Sequence, residues 1–119
     1  MKDHIKDFDS LLLEGKTDPF QEFAQKRHDG ARDIVDRAKK KGGTAMLTYH
    51  HFVVKLPYYR EAVAGRFDQR AAKSELKRLN LELASLLKTF EPKDQIPFQK
   101  TMGRIEVLGE LIIRSTQNE

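Results

Sequence analysis

Residues 44–64, TAMLTYHHFVVKLPYYREAVA, decide the fold class, because the segments on either side of them have helical patterns. The apolar and aromatic content of this stretch suits a β-strand. Its alternation is poor, however, since two adjacent histidines are followed by three consecutive apolar residues. Thr48 is a suitable N-cap for a short helix, and Pro57 can begin a second one. We therefore predict a Pro-broken pair of short helices over about 48–64, with a strand as the alternative.

Three long amphipathic helices are predicted around this stretch, over about 19–41, 68–90 and 95–115. The first begins with a strong signal, Asp18 followed by Pro19, and ends at three lysines and two glycines. The second has the clearest apolar pattern, in alternating steps of four and three residues: Ala72, Leu76, Leu79, Leu83, Leu86 and Phe90. The short connection between the second and the third helix predicts that they are antiparallel neighbours.

Three glycines modify this picture of regular helices. Asp29 and Gly30 interrupt the apolar stripe of the first long helix, so a kink or a break is predicted there. In the last helix, Gly103 and Gly109 each lower the intrinsic helix stability by about 1 kcal/mol relative to Ala. We interpret these two glycines as positions where another helix approaches closely.

The N-terminal segment from Asp3 to Glu14 is predicted to form a short amphipathic helix, with Ile5, Phe8 and Leu12 on one face. A chain of 119 residues is long enough to bury a core of its own. The predicted fold is therefore an all-α bundle of three long helices, closed by the N-terminal helix and the short pair. We expect residues 1–119 to form a single domain.

Composition excludes several classes of protein. There is no Cys, so disulfides, thiol catalysis and Cys-based zinc sites are excluded. No run approaches the roughly 18 apolar residues that a membrane span needs. The N-terminus is too acidic, and its apolar run Leu11–Leu13 too short, for a secretory signal. These features predict a cytoplasmic protein that does not contact a membrane.

No catalytic or cofactor motif is present in the chain. The four histidines show no His-x3-His or Glu-x2-His spacing, which argues against a metal site. The serines lack a Gly-x-Ser-x-Gly context, and Lys41-Gly42-Gly43-Thr44 lacks the first half of a phosphate-binding loop. The sequence therefore predicts a protein that is not an enzyme and that has no catalytic residues, metal or cofactor.

Positive charge is concentrated in the middle of the chain. Residues 26–66 carry ten basic and four acidic side chains, whereas the whole chain has a net charge of +4. This asymmetry makes nucleic-acid binding the alternative function, because Lys and Arg neutralise phosphates. The candidate residues are Lys39, Lys40, Lys41, Lys55, Arg66, Arg70, Lys73 and Lys77. The simpler interpretation is that these residues form the solvated faces of helices.

Binding to a protein partner is the main functional hypothesis. The 44–64 region supplies more apolar and aromatic surface than two short helices readily bury, and a basic rim surrounds it. We predict a small regulatory or adaptor protein that binds a protein partner, or a second copy of itself, through this region. The candidate contacts are Phe52, Tyr58, Tyr59 and Arg60. The sequence alone leaves open whether these aromatic side chains lie at an interface or in the core.

Overall fold

Five α-helices follow one another in the computed structural model, which describes residues 18–117. They are α1 (Pro19–Lys41), α2 (Ala45–Val53), α3 (Leu56–Val63), α4 (Gln69–Lys88) and α5 (Gln95–Gln117), with a 3-10 turn at Pro92–Asp94 before α5. No strand occurs among these residues. The predicted all-α fold is therefore confirmed, and the strand alternative is wrong. The N-terminal helix predicted from Asp3 to Glu14 lies outside the described residues.

Helix α1 begins and ends as its sequence signals predict. The Oδ1 atom of Asp18 accepts a hydrogen bond from the Phe20 amide at 2.8 Å, and Pro19 occupies the first turn, where its missing N–H is harmless. At the other end, Gly42 has a φ of 66° and its amide donates to the carbonyl of Ala38. The helix continues through Gly30, so the predicted break is wrong.

The short helices are present, but the first one begins earlier than predicted. Gly42 and Gly43 both have positive φ, and their carbonyls accept the amides of Ala45 and Met46. Helical bonding therefore starts directly after the glycine turn. As a result, Thr48 lies inside α2, and its prediction as the N-cap is wrong.

Each helix packs against one or more of the others. Helix α1 packs against α2 and α3, α2 packs against α5, and α4 packs against the opposite side of α5. The described chain measures 52 × 35 × 19 Å, so its thinnest dimension is about two helix diameters. The main core lies between α1, α3 and α5, and it consists of Phe20, Ala24, Ala31, Val35, Leu56, Tyr59, Ala62, Val63, Val107 and Leu111.

The last two long helices form an antiparallel hairpin, as predicted. The rings of Phe90 and Phe98 meet at the connection, with their centroids 5.6 Å apart. At the open end, the Gln69 amide donates to Ser115 Oγ at 3.1 Å. Asp68 caps α4 by accepting the amide of Arg70 at 3.0 Å. This hairpin holds a small second core of Ala72, Leu79 and Leu108.

One of the two glycines in α5 is a point of close approach. A Cβ atom built on Gly103 would overlap the carbonyl oxygen of His51 and lie 2.7 Å from Val54 Cγ2. Only glycine therefore lets α5 pack against α2 at this distance. A Cβ on Gly109 would meet nothing within 4 Å, so the prediction is confirmed for Gly103 and wrong for Gly109.

Candidate partner-binding site

A cleft of about 460 Å³ lies between α2, the start of α3 and α5. We call it the α2–α5 cleft, and it is lined by Tyr49, His50, Val53, Val54, Pro57, Tyr58, Lys100 and Arg104. Six of these eight residues belong to the 44–64 region. The cleft is therefore the part of that region that combines apolar surface with a concave shape.

The local sequence explains why these side chains meet. Tyr49 and Val53 are one helical turn apart on α2, so they share a face. Lys100 and Arg104 have the same spacing on α5. The contact at Gly103 draws the two helices together, and Pro57 places the start of α3 at the open side of the cleft.

Two cations distinguish the cleft from an ordinary apolar groove. Lys100 and Arg104 are both half-buried. Within residues 18–117, neither side chain makes an ion pair or a side-chain hydrogen bond with another residue. The nearby Glu75 is already engaged, because it accepts the Tyr58 hydroxyl at 2.6 Å and lies 3.7 Å from Arg78. The cleft therefore carries positive charge that its own walls do not match.

The remaining polar groups of the cleft belong to Tyr49, Tyr58 and His50. Burial, and then the hydrogen bond to Glu75, raise the pKa of Tyr58 to about 12, so its hydroxyl is neutral near pH 7. The Nδ1 atom of His50 is buried and has no hydrogen-bond partner among the described residues. The rings of Tyr49 and His50 meet edge to face, with centroids 5.1 Å apart. The wall is thus aromatic, with few polar atoms.

A polar network connects α2 to α5 beside the cleft. Lys55 is buried, at 5% exposure, and its ammonium donates to Glu106 Oε1 at 2.9 Å. His51 contacts the same oxygen through Nε2 at 2.9 Å and Gln99 through Nδ1 at 3.0 Å. Burial raises the pKa of Glu106, but the hydrogen bonds from Lys55 and His51 outweigh it, so the net pKa is lowered. This network fixes α2 on α5 and so supports the cleft.

The predicted partner contacts are distributed between core and surface. Tyr58 lines the cleft, and Arg60 is exposed on α3 but outside the cleft. Phe52 is half-buried against the main core, with its ring centroid 4.5 Å from Lys55 Nζ. Tyr59 is 1% exposed, and its hydroxyl donates to Glu110 at 2.5 Å. The placement of Tyr59 on a contact surface is therefore wrong, because no partner reaches it.

Sequence reasoning missed Lys100 and Arg104 as possible contacts. A signal was present, since neither cation has an acidic residue three or four positions away on α5. Arg37, by contrast, has Asp33 one helical turn away and pairs with it at 2.9 Å. A cation pair without this support is a candidate for an external anion.

The structure separates the residues predicted to bind nucleic acid. Lys55 is buried against Glu106, so its prediction as a phosphate contact is wrong. Arg66 is paired with Glu61, with Nη2 and Oε2 2.7 Å apart. The remaining six are exposed: Lys39, Lys40, Lys41, Arg70, Lys73 and Lys77.

These six cations do not form one continuous stripe. The start of α1 meets the segment before α4, where the Phe20 and Phe67 ring centroids are 5.3 Å apart. The 23 residues of α1 extend about 34 Å from there. The lysines at 39–41 therefore lie at the opposite end of α1 from Arg70.

A second cavity, of about 480 Å³, lies where α1, α3 and α4 begin or end. Its polar groups are used internally, since Gln21 Nε2 donates to the Val63 carbonyl at 3.0 Å and Gln69 to Ser115. The α2–α5 cleft is the stronger candidate because its cations have no such internal partners.

Comparison with protein-family models, curated proteins and solved structures found no match to this chain. Among residues 18–117, no helix is both long and apolar enough to cross a membrane. The same residues contain no group of three or more His, Asp or Glu side chains placed to hold a metal ion. Functional inference therefore rests on the cleft and on the exposed charge.

Proposed function

We propose that this chain is a non-enzymatic binding module that binds a protein partner in the α2–α5 cleft. The observation that supports this function is a concave, aromatic surface that has two cations at its side. Protein interfaces are enriched in Tyr and Arg, and their centres are apolar and concave. The 44–64 region remains the contact surface and Tyr58 remains a contact, but Tyr49 and Val53 replace Phe52 and Tyr59.

A blocking substitution tests this function. Pro57 is exposed at the open side of the cleft, so Pro57→Trp fills the cleft with little effect on the core. Leu81→Trp is the matched control, because Leu81 is 68% exposed on α4 and lies outside the cleft. Tagged versions of both variants and of the wild type are expressed in the native cells, and the proteins that co-purify are quantified.

We expect Pro57→Trp to lower recovery of specific partners about tenfold or more, which corresponds to about 1.4 kcal/mol of binding free energy. Leu81→Trp is expected to recover them as the wild type does, and both variants are expected to melt at the wild-type temperature. Partners that Pro57→Trp retains and Leu81→Trp loses would contradict the proposal.

Nucleic-acid binding is the second candidate, and the exposed cations of α4 favour it. Arg70, Lys73 and Lys77 share one helical face, and within the described chain they have no ion-pair partner. Titration of labelled single- and double-stranded oligonucleotides tests this function. If several phosphates are bound, affinity falls about 10³-fold between about 50 and 200 mM salt. Charge reversal at Lys73 and Lys77, or at Lys39–Lys41, is expected to weaken it further, whereas binding that ignores salt would exclude this candidate.

A further inference from the structure

We infer that the α2–α5 cleft recognises an acidic segment of the partner protein, in which an Asp or Glu side chain binds between Lys100 and Arg104 and a neighbouring apolar side chain packs on Tyr49 and Val53. This inference rests on the proposed function and specifies the chemistry of the partner. Three features support this inference: the charge of the cleft, its shape, and the contrast with other cations that contact α5.

Lys100 and Arg104 form a pair of like charges at the side of the cleft. Lys100 and Arg104 are one turn apart on α5, so their like charges repel, and partial burial reduces the screening by water. Within residues 18–117, no carboxylate oxygen lies within 4.0 Å of either side chain. A bound carboxylate would relieve the repulsion and would gain charge-assisted hydrogen bonds from both residues.

Other cations that contact α5 do have acidic partners. Lys55 is paired with Glu106, and Arg27 Nη2 lies 2.7 Å from Glu110 Oε2. The two glutamates of α5 are thus occupied by cations from α1 and from the end of α2. The unmatched pair lies nearer the start of α5, where it borders the cleft. Lys100 and Arg104 therefore differ from Lys55 and Arg27, because within residues 18–117 neither has an internal acid.

The shape of the cleft favours a peptide over a nucleic acid. The wall opposite the cations is formed by Tyr49, Val53 and Pro57, and about 460 Å³ holds only one or two side chains. A phosphate backbone would require a longer line of exposed cations than one half-buried pair. A short peptide segment with an acid next to an aliphatic or aromatic residue matches both halves of the cleft.

The probes for this inference are three short synthetic peptides with the same length and the same Phe and Leu residues. They differ only in carrying Glu, Gln or Lys at the charged positions. Each is titrated into the ¹⁵N-labelled full chain, and amide chemical shifts report both the affinity and the position of binding. A fourth peptide, with phosphoserine in place of Glu, distinguishes a carboxylate from a phosphate.

We expect the Glu peptide to shift amides around Tyr49, Val53 and Arg104 and to bind about tenfold or more tightly than the Gln peptide. The double variant Lys100→Glu/Arg104→Glu is expected to reverse the preference, so that the Lys peptide binds better. The control variant Lys73→Glu/Lys77→Glu has the same change in net charge on α4, and it is expected to leave the Glu peptide's affinity unchanged.

The other outcomes overturn the inference in distinguishable ways. Equal binding of the Glu and Gln peptides in the cleft would overturn the claim that a carboxylate is recognised. The proposal that the cleft binds a protein would remain. Stronger binding of the phosphoserine peptide would replace the carboxylate by a phosphate. If no peptide shifts the amides at the cleft, or if the shifts are confined to α4, the claim that the cleft binds an acidic segment is overturned. In each case the Pro57→Trp experiment decides independently whether a protein partner uses the cleft.

Discussion

The helices α1–α3 and the helix α4 bury their apolar residues to very different extents. Each of α1, α2 and α3 packs against at least two other helices, whereas α4 packs mainly along α5 and also contacts Tyr58 of α3. The main core accordingly has ten buried members, and the core of the hairpin has three. At the far end of the hairpin, where α4 leads to α5, Leu87 is 52% and Phe90 is 41% exposed.

This difference shows that regular periodicity does not determine burial. Helix α4 has the most regular apolar seam in the chain, yet only Ala72 and Leu79 of that seam are buried. The irregular stretch 44–64 supplies four buried apolar residues in α3 alone. Periodicity predicts which face of a helix is apolar. The number of neighbouring helices decides how much of that face is removed from water.

The largest predicted effect is on the free energy of unfolding, when one aromatic ring is removed from the main core and, for comparison, one from the hairpin. Tyr59→Ala is expected to lower the free energy of unfolding by about 4 kcal/mol, because it leaves a cavity in the main core. Phe90→Ala is expected to cost less than about 1 kcal/mol, since 41% of the residue is already exposed in the folded chain. Urea denaturation of both variants measures the two values.

Tyr59→Phe serves as the control for the hydroxyl. It keeps the ring and removes only the hydrogen bond to Glu110, so we expect a loss of about 1 kcal/mol. Equal losses in Tyr59→Ala and Phe90→Ala would break the comparison. Such a result would mean that the far end of the hairpin is as well covered in solution as the main core.

The two glycines of α5 provide a smaller effect with opposite signs. Gly103→Ala forces a Cβ against the His51 carbonyl, so we expect it to destabilise the protein by about 1–3 kcal/mol. Gly109→Ala meets no neighbour and is expected to stabilise it by about 0.5–1 kcal/mol through helix propensity. Thermal melting of the matched pair measures both signs. Stabilisation by both substitutions would show that α5 and α2 are not in close contact.

The smallest expected effect is the pH dependence of the Glu106 network. The pKa of Glu106 is lower in the folded chain than its ordinary value of 4.5, so its stabilising contribution is present above about pH 4.5. That contribution is lost as the pH falls through the folded-state pKa. The Glu106 side chain is 47% exposed, and solvent screening limits the contribution to less than about 1 kcal/mol.

Lys55→Met tests this dependence because it removes the ammonium that donates to Glu106 and keeps the apolar stem. Stability measured in urea from about pH 7 to about pH 3 is expected to fall less steeply in Lys55→Met than in the wild type. Parallel curves for the two proteins would mean that Lys55 does not hold the pKa of Glu106 down.

The sequence predicted much of the fold because the signals for long helices are local. Asp18 with Pro19 marks the start of α1 and caps it as expected, and Asp68 caps α4 where the second long helix was predicted to begin. The start of α2 was misplaced because the glycine turn at 42–43 begins the helix without a side-chain cap.

The candidate site was less predictable, because it depends on contacts between distant parts of the chain. Lys55 and Glu106 are 51 residues apart in sequence, and no local pattern links them. Tyr49 and Val53 are likewise far in sequence from Lys100 and Arg104, with which they line the cleft. Local patterns identified the 44–64 region as unusual, but only the packing of α5 shows which of its residues form a cleft.

The position of α5 along the chain has a consequence for how the protein is made. Helix α5 follows α1–α4 in the sequence and packs against each of them. During translation, α1–α3 can associate as they emerge, but Tyr59 has no acceptor and Lys55 has no counter-ion until α5 has been synthesised. The apolar seam of α4 likewise stays uncovered on the nascent chain. The core is therefore completed late, and the apolar surface exposed before α5 emerges is the part of the nascent chain that is open to aggregation.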